Sequence, residues 1–436
     1  MKKTVFTAAM MAAFSTVVFA QSGTNSPYSQ YGLGLLSEQT SGFNRGMNGL
    51  GLGFHEHNQI NYLNPASYSS LDSLTFIFDV GASGQLTNFK EGAHKVNAHN
   101  ADLEYVVAGF RAFRHVGVSF GLVPFTNIGY NYAVSEKIGS STTTYNTTYS
   151  GNGGLHQVYL GAGWKPMDGL SLGANISYLW GTYSRSVNNS YSDTYVNTLS
   201  RAYSADVHSY KLDLGVQYTH HLMKADWLTV GVTFSPGHKI GGQPQVIVKT
   251  TNSQTKVSVA DTLPNGRKGQ QSLQLSIPTM LGAGVMWNHN NKWKVGLDYS
   301  LQKWGNLDVP EYSVINGVAC YSMKNGQYMD RHQVTLGGEY VPDNAGRVFY
   351  KRIHYRLGAS YATPYYKVNG TNGPKELSVS AGFGLPIING YNNRSILNIS
   401  GQWVRRAATG LIKENTFRIN IGLTFNERWF MKWKVD

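Results

Sequence analysis

Two short stretches match the Gly-x-Ser-x-Gly pattern in which serine hydrolases hold their nucleophile. They are Gly117-Val118-Ser119-Phe120-Gly121 and Gly169-Leu170-Ser171-Leu172-Gly173. The pattern works only where a strand turns sharply into a helix and exposes the serine hydroxyl. Both stretches lie instead in segments that alternate apolar and polar residues, with Gly and Ser on the polar side. We therefore interpret them as strand residues and predict no catalytic residue in either.

Histidine pairs could bind a metal ion where several imidazoles converge. The candidates are His55 and His57, which flank Glu56, and the adjacent His220 and His221. Neither pair has the spacing of a known metal site. We predict that these histidines are polar residues of the N-terminal segment and of a turn, and that they bind no metal and no cofactor.

Three further histidines, His156, His208 and His354, fall on or beside the alternating segments. A hydrolase embedded in a membrane would need a serine and a histidine on neighbouring strands, both facing the lipid. No sequence feature marks such a pair. A barrel hydrolase that acts on lipids therefore stays open as an alternative without a designated site.

Charged side chains occur on the polar faces of several alternating segments. They include Lys211, Asp213, Lys294, Asp298, Glu339, Arg356 and Arg418. Buried charges are tolerated when they are partnered, so we expect these residues to pair with one another or with an inserted segment. An alternative interpretation makes Arg356 or Arg418 the anchor of a substrate carboxylate, which a guanidinium group binds through two hydrogen bonds.

The alternation itself predicts the fold. The sharpest segment has Tyr210, Leu212, Leu214, Val216 and Tyr218 on one face, and its other face is polar or glycine. Lipid on one side and a polar lumen on the other require this pattern, with aromatic residues at the two membrane interfaces. We predict an all-β protein, a 14-stranded antiparallel transmembrane β-barrel of the outer membrane. The strand centres are 74–80, 103–112, 116–122, 158–164, 170–178, 210–218, 228–234, 281–287, 293–299, 334–340, 353–361, 377–383, 397–403 and 417–425.

The connections between these segments alternate between short and long. We predict long loops at 84–101, 125–153, 182–206, 236–277, 303–330, 363–374 and 407–415. Barrels of this class have short periplasmic turns, long extracellular loops and an even number of strands, so both termini are expected in the periplasm.

The two ends of the chain lack the lipid-facing period. Residues 1–20 have the charged, apolar and small-residue parts of a secretory signal peptide. Residues 21–72 are rich in Gly, Asn and Ser and are predicted to be a hatch or plug in the lumen, ahead of the barrel at 73–425. Residues 426–436, with Trp429, Phe430 and Trp433, are predicted to be a periplasmic tail.

Composition is compatible with a barrel. Hydrophobic residues make up 41% of the chain, because only half of each strand must be apolar. The net charge of +13 falls to +11 once Lys2 and Lys3 leave with the signal peptide. The basic residues are scattered, which favours contact with anionic lipid head groups over nucleic acid. The single cysteine, Cys320, cannot form an intramolecular disulfide and is predicted to be a partly exposed loop thiol.

Three stretches carry a resemblance to a known family. They are Asn64-Pro65-Ala66; the strand pair in which Pro278, Gly282 and Trp287 precede Trp293, Asp298 and Trp304; and Tyr355-Arg356-Leu357-Gly358 with Pro364. In these stretches the chain resembles the FadL family of outer-membrane transport proteins for long-chain fatty acids and aromatic hydrocarbons.

The resemblance implies a fourteen-stranded barrel, an N-terminal hatch around Asn64, Pro65 and Ala66, and passive uptake of hydrophobic or amphipathic small molecules. It also implies a lateral gap at a kink in the third strand. Gly121 and Pro124 lie at the end of that strand, where proline removes a ladder donor and glycine weakens pairing. The alternative is that Pro124 merely ends the strand.

The loops depart from the family pattern. The family resemblance implies an apolar groove among the extracellular loops, but residues 182–206 and 236–277 are mostly Ser, Thr, Asn, Gln and Lys. A more polar or aromatic ligand, or a protein partner at the cell surface, fits these loops as well as a fatty acid. Two functions fit such loops: a hatch-gated passive channel without an energy source, and a non-transporting barrel that docks partners in an outer-membrane secretion or assembly complex.

Overall fold

A computed structural model describes residues 23–138, 143–263, 273–344, 346–389 and 392–429. The signal-peptide prediction for 1–20 and most of the predicted tail, including Phe430 and Trp433, lie outside the described residues. Fourteen antiparallel strands form the wall. They are β1 (Phe76–Glu91), β2 (His94–Phe113), β3 (Val116–Lys137), β4 (Thr144–Met167), β5 (Leu170–Tyr191), β6 (Thr198–Met223), β7 (Asp226–Ser235), β8 (Thr279–His289), β9 (Trp293–Lys303), β10 (Arg331–Tyr340), β11 (His354–Ala362), β12 (Lys375–Asn389), β13 (Asn392–Ala407) and β14 (Lys413–Glu427).

The sheet closes on itself. Each strand pairs with the next in the chain, and β14 returns to β1 in continuous register from Phe76 opposite Glu427 to Lys90 opposite Lys413. Closure matters because an unpaired edge would leave backbone N–H and C=O groups facing hydrocarbon. The predicted 14-stranded antiparallel barrel is therefore confirmed.

The faces of the strands follow the predicted alternation. On β6, Tyr210, Leu214 and Tyr218 point outward and are exposed, whereas Lys211 and Gln217 point inward and are buried. Among the described residues no helix is long and apolar enough to cross a membrane. On β6 the outward-facing residues are the apolar ones, and they form the surface that would contact lipid.

Three of the predicted long loops are wrong. Residues 84–101 belong to β1 and β2, which are joined by a tight turn at Gly92, and much of 125–153 and 182–206 likewise continues β3, β4, β5 and β6. A transmembrane strand needs about 9–11 residues, and β3 to β6 contain 22 to 26. The lipid-facing period stops where these strands leave the bilayer, but the backbone pairing continues in water, so alternation alone missed the extensions.

The remaining long connections contain small hairpins. Between β7 and β8, His238–Gly241 pairs with Leu275–Ile277, and Gln245–Thr251 joins the free side of β6 and then pairs with Ser258–Thr262. Between β9 and β10, Val309–Ile315 pairs with Val318–Lys324. Between β11 and β12, Lys367–Val368 pairs with Thr371–Asn372.

One of these hairpins corrects the prediction for the cysteine. Cys320 is buried, at 3% exposure, within the strand Val318–Lys324. The neighbouring Tyr321 packs against Val246 and Leu273, so this hairpin lies against other loop residues instead of standing free in solvent. The thiol is covered for that reason.

The described part of the N-terminal segment, 23–72, lies inside the barrel. It contains two 3-10 helices, Pro27–Gln30 and Pro65–Ser70, a two-residue strand, Leu35–Leu36, and one helical turn, α1 (Gly42–Arg45). The short connection between β10 and β11 carries another 3-10 helix, Phe349–Arg352. Within the described residues, the helices are these four short elements.

Glycines on the inner wall make room for this segment. A Cβ atom at Gly173 would lie 2.3 Å from the carbonyl carbon of Pro65, and one at Gly231 would lie 1.9 Å from the carbonyl oxygen of Leu52. A Cβ atom at Gly215 would lie 2.2 Å from the side-chain oxygen of Asn64. The inner faces of β5, β6 and β7 are therefore shaped around the chain that precedes β1.

Leu214→Arg should destabilise the barrel by roughly 2–4 kcal/mol, because it places a charge on the lipid-facing middle of β6. Thr233→Lys on β7 is the matched control, since its side chain faces the lumen. The free energy of unfolding in lipid vesicles, measured by urea titration, should fall far more for the first variant. Equal losses would contradict the assignment of faces.

Candidate lumenal site

Asn64 fixes the inserted segment at the start of its second 3-10 helix. Its side-chain oxygen accepts a hydrogen bond from the N–H of Ala66 at 3.2 Å, and its amide nitrogen donates to the carbonyls of Leu52 at 2.9 Å and Val216 at 3.3 Å. Pro65 follows as the first helical residue, where a missing N–H costs nothing. The triplet thus ties one turn to the wall at β6.

Arg45 is a second anchor. Its guanidinium group lies 3.0 Å from the carboxylate of Glu104 on β2 and also donates to the carbonyl of Thr40 and the side chain of Asn420. Burial alone would lower the pKa of Arg45, but Glu104 and Glu38 raise it above its ordinary value. The charge is therefore retained in the lumen. Sequence reasoning missed this residue, although Arg45 is the only Lys or Arg in 21–72.

A third anchor joins the segment to β9. One carboxylate oxygen of Asp298 accepts the N–H groups of Gly51 at 2.7 Å and Leu52 at 2.9 Å. Nearby, the ammonium group of Lys294 lies 2.6 Å from Glu56 and 3.1 Å from Glu339. In these contacts, charged residues of the lumen pair with one another or with the inserted segment, as the sequence predicts.

The two predicted carboxylate anchors have different surroundings. Arg356 is buried, donates to Glu339 at 2.7 Å and to Asn398 at 2.5 Å, and does not line the internal cavity described below. Arg418 does line that cavity, but it donates twice to the side chain of Gln85, at 2.9 and 3.1 Å, and lies 3.5 Å from Glu38. Both guanidinium groups already have partners.

Gly121 and Pro124 stand at a discontinuity in the wall. The pairing of β3 with β2 stops at Leu122, opposite Val106, and the register with β4 shifts between Pro124 and Thr126. Beyond that point β3 continues to Lys137, so Pro124 does not end the strand. The separated parts of β2 and β3 form a seam, defined here as the interval from Leu122 onward along β3 and from Tyr105 back along β2.

The inserted segment occupies this seam. Leu35 and Leu36 pair with Asn127 and Thr126 of β3 in an antiparallel two-residue ladder. The hydroxyl of Ser29 donates to the carbonyl of Gly129 and accepts its N–H. The seam is thus lined by a piece of chain that enters from within the barrel, a feature that the alternation could not reveal.

An apolar layer closes the loop end of the lumen. It contains Trp304, Tyr328, Tyr365 and Tyr366 from the loops, packed with Tyr28 of the inserted segment and with apolar residues of β3 to β6. The rings of Trp304 and Tyr365 lie 4.5 Å apart. Below this aromatic layer is an internal cavity of about 290 Å³, which we call the chamber.

The chamber has a mixed wall. Its apolar part includes Leu35, Leu36, Met280, Tyr365 and Tyr366. Its charged residues are Glu38, Asp102, Glu104, Lys211, Asp213, Asp298, Arg331, Glu376, Arg406, Glu414 and Arg418. Such a wall could accommodate a molecule with an apolar part and a polar head.

The serines and histidines singled out in the sequence do not assemble into a catalytic or metal site within the described residues. Ser119 bonds to the carbonyl of Ala108 and the hydroxyl of Tyr159, and Ser171 bonds to Ser69. Outward-facing His208 contacts Tyr178 and Asp206 instead of a serine.

The paired histidines have separate partners. His55 lies 2.7 Å from Gln217, whereas His57 lies 3.0 Å from Asp72. Burial lowers the pKa of His55, and the hydrogen bond with Asp72 raises that of His57. Across the described ranges, no three His, Cys, Asp or Glu side chains are grouped to hold a metal.

Several solved structures share this architecture. The P. putida toluene transporter TodX is 14% identical, with a TM-score of 0.62 over 91% of this chain and 100% of that one. A Pseudomonas aeruginosa FadL homologue is 11% identical, with a TM-score of 0.61 over 91% and 99%. The Ralstonia pickettii toluene transporter TbuX is 13% identical, with a TM-score of 0.57 over 89% and 98%. At these identities the likeness establishes a common fold.

The chain therefore has the fold of the FadL-type barrels, and the resemblance predicted from the sequence is confirmed at the level of the fold. Within that class, the family model described as BamG matches residues 1–436, so the chain belongs to the BamG family. No curated protein sequence matches it.

Arg45→Met should loosen the inserted segment, because Glu104 is then left buried without its cation. Breaking such a pair costs roughly 3 kcal/mol, which corresponds to about 100-fold faster opening. Hydrogen exchange of the amides in 42–50 reports the change. Arg45→Met combined with Glu104→Gln should recover part of the protection, and Lys165→Met, at the exposed pair with Asp168, should leave exchange unchanged.

Proposed function

We propose that the chain is a gated passive channel of the outer membrane for hydrophobic or amphipathic small molecules, with 21–72 as its hatch and both termini in the periplasm. The observation that carries this proposal is the chamber, which lies between the aromatic layer and the inserted segment and has Leu35 and Leu36 on its wall. Structures with the same fold are described as toluene transporters and a monoaromatic hydrocarbon channel, which supports the choice of ligand class.

The route follows the contacts. A ligand enters through the aromatic layer, resides in the chamber and leaves sideways through the seam next to Pro124. Leaving requires Leu35–Leu36 to separate from β3, which breaks the two-residue ladder and the hydrogen bond from the N–H of Ser37 to the carbonyl of Phe125. The ion pair of Arg45 and the two backbone hydrogen bonds of Asp298 hold the rest of the hatch in place meanwhile. Displacement of the strap, defined here as 29–37, therefore leaves the anchors of the rest of the hatch intact.

A disulfide between Leu36→Cys and Thr126→Cys should stop transport. Residues directly opposite in an antiparallel ladder have Cα atoms about 4.5–5.5 Å apart, within the range that a disulfide spans. In a Cys320→Ser background, oxidation should reduce entry of the uncharged dye N-phenyl-1-naphthylamine to that of cells without the protein, and reduction should restore it.

The control is a second disulfide at Val134→Cys and Thr147→Cys, which are opposed on β3 and β4 away from the strap. It should leave dye entry unchanged in either redox state. Undiminished entry with the strap disulfide formed would eliminate the seam as the exit. Failure of the uncrosslinked protein to admit the dye would remove the channel proposal itself.

A second candidate function is docking of envelope partners, and the projecting sheet favours it. Beyond the membrane-spanning lengths of β3 to β6, Gln245–Thr251 and Ser258–Thr262 add two strands, and in the described residues the last of these pairs on one side only. Val257 and Val259 beside and within it are each 62% exposed. A strand with an open side can accept a strand of a partner.

Val257→Glu together with Val259→Glu should therefore abolish stoichiometric co-purification of an envelope partner after mild detergent extraction. Charges on an edge strand oppose further strand pairing. The control is Tyr195→Glu, at a residue that is 81% exposed in a different loop. Purification of the unaltered protein without any stoichiometric partner would contradict the docking function.

A further inference from the structure

The short connection between β10 and β11 exposes three consecutive apolar or aromatic side chains. Val348, Phe349 and Tyr350 are 46%, 47% and 59% exposed. Arg347 and Lys351, which flank them, are exposed as well. We call 347–352 the rim segment. An exposed apolar patch that polar residues surround marks a contact with a protein or a membrane.

The contacts of the rim segment place it beside the outer wall of the barrel. The alternation along β11 puts Tyr355 on the outer face, and its hydroxyl donates to the carbonyl of Tyr350 at 3.2 Å. The ring centre of Tyr355 lies 5.8 Å from that of Phe383 and 6.4 Å from that of Tyr340, which in turn lies 4.1 Å from Trp293. Aromatic residues of this kind concentrate where a membrane meets water. The rim segment therefore lies next to the membrane interface.

The rim segment is also basic. Three of its six residues carry a positive charge: Arg347, Lys351 and Arg352. Lys292 of the neighbouring turn lies alongside, because its carbonyl accepts the N–H of Val341. Asp343 is the one acidic residue in 341–353. None of the salt bridges among the described residues includes any of these four cations. The positive surplus at this rim is therefore available to an anion.

We propose that the rim segment is a binding site for an anionic phospholipid of the leaflet next to the short turns. Phe349 and Tyr350 enter the head-group region beside the aromatic residues of the wall, and the three basic side chains contact the lipid phosphate. A guanidinium group binds phosphate through two parallel hydrogen bonds, and basic residues near an anionic leaflet are attracted to it. A lipid matches both the charge and the apolar surface, whereas a free anion matches only the charge. This site is separate from the chamber and does not depend on the channel function.

The first test compares phosphatidylglycerol with phosphatidylcholine, which share their acyl chains and differ in head-group charge. Binding of each dioleoyl lipid to the full chain in dodecyl maltoside is measured by native mass spectrometry. Phosphatidylglycerol should bind at least about 10-fold more tightly, the equivalent of one charge-assisted hydrogen bond. Equal affinities would overturn the proposal. Displacement of the lipid by excess inorganic phosphate would identify a site for a free anion and would overturn it too.

A charge variant locates the preference on the chain. It combines three substitutions: Arg347→Gln, Lys351→Gln and Arg352→Gln. Its affinity for phosphatidylglycerol should fall at least about 10-fold, with that for phosphatidylcholine unchanged. The matched control removes the same charge from exposed residues at the loop end of the barrel and should keep the preference: Lys137→Gln, Lys249→Gln and Lys256→Gln. A charge variant that keeps the preference would reject the rim segment as the site.

A second measurement tests for entry into the leaflet. Val348→Cys in the Cys320→Ser background is labelled with bimane in nanodiscs that contain phosphatidylglycerol, and a doxyl-labelled lipid should quench its fluorescence. A label at Tyr195→Cys, where the native side chain is 81% exposed, should be quenched by aqueous iodide alone. If iodide alone also quenched the label at 348, the segment would lie in water and its partner would be a protein. Dye entry through the charge variant should match that of the unaltered protein, so failure of the channel proposal would leave the lipid site standing.

Discussion

The return of β14 to β1 is the interaction on which the rest of the structure depends. In hydrocarbon no water replaces a missing backbone hydrogen bond, so the sheet must close before any strand is stable there. Fifteen residues of β1 have partners on β14, from Phe76 to Lys90. This ladder continues past the length that a bilayer requires, which lets the same sheet carry structure outside the membrane.

A closed barrel of this size encloses a lumen, and in this protein the inserted segment occupies part of it. Here glycines on β5, β6 and β7 provide space, and buried polar groups provide anchors: Arg45 to Glu104, Asp298 to two backbone N–H groups, and Asn64 to β6. A buried ion pair is weak support for overall stability, because desolvation offsets the attraction. The ion pair instead holds the inserted segment in position, because moving either partner alone leaves an uncompensated buried charge.

The strap differs from the rest of the inserted segment in how it is held. Leu35 and Leu36 make a short ladder with β3 at the one place where β2 and β3 part, and their side chains also face the chamber. The same residues therefore separate the chamber from the seam and contribute to its apolar wall. A ligand that competes for this apolar surface would act directly on the element that closes its exit, which couples occupancy to opening within the proposed channel.

The sequence by itself determined the wall. Each of the fourteen predicted strand centres lies inside an observed strand or extends past its end by at most two residues. The reason is that lipid imposes a two-residue period on the side chains of each strand, whatever the neighbouring segments are. Where water replaced lipid, the period vanished and the strand extensions and loop hairpins were missed. The partners of Arg45, the charged wall of the chamber and the seam occupied by Leu35–Leu36 were decided only by the tertiary structure. Those contacts join residues far apart in the chain, as Asn64 joins β6, and a local pattern contains no information about which distant strand a lumenal side chain will meet.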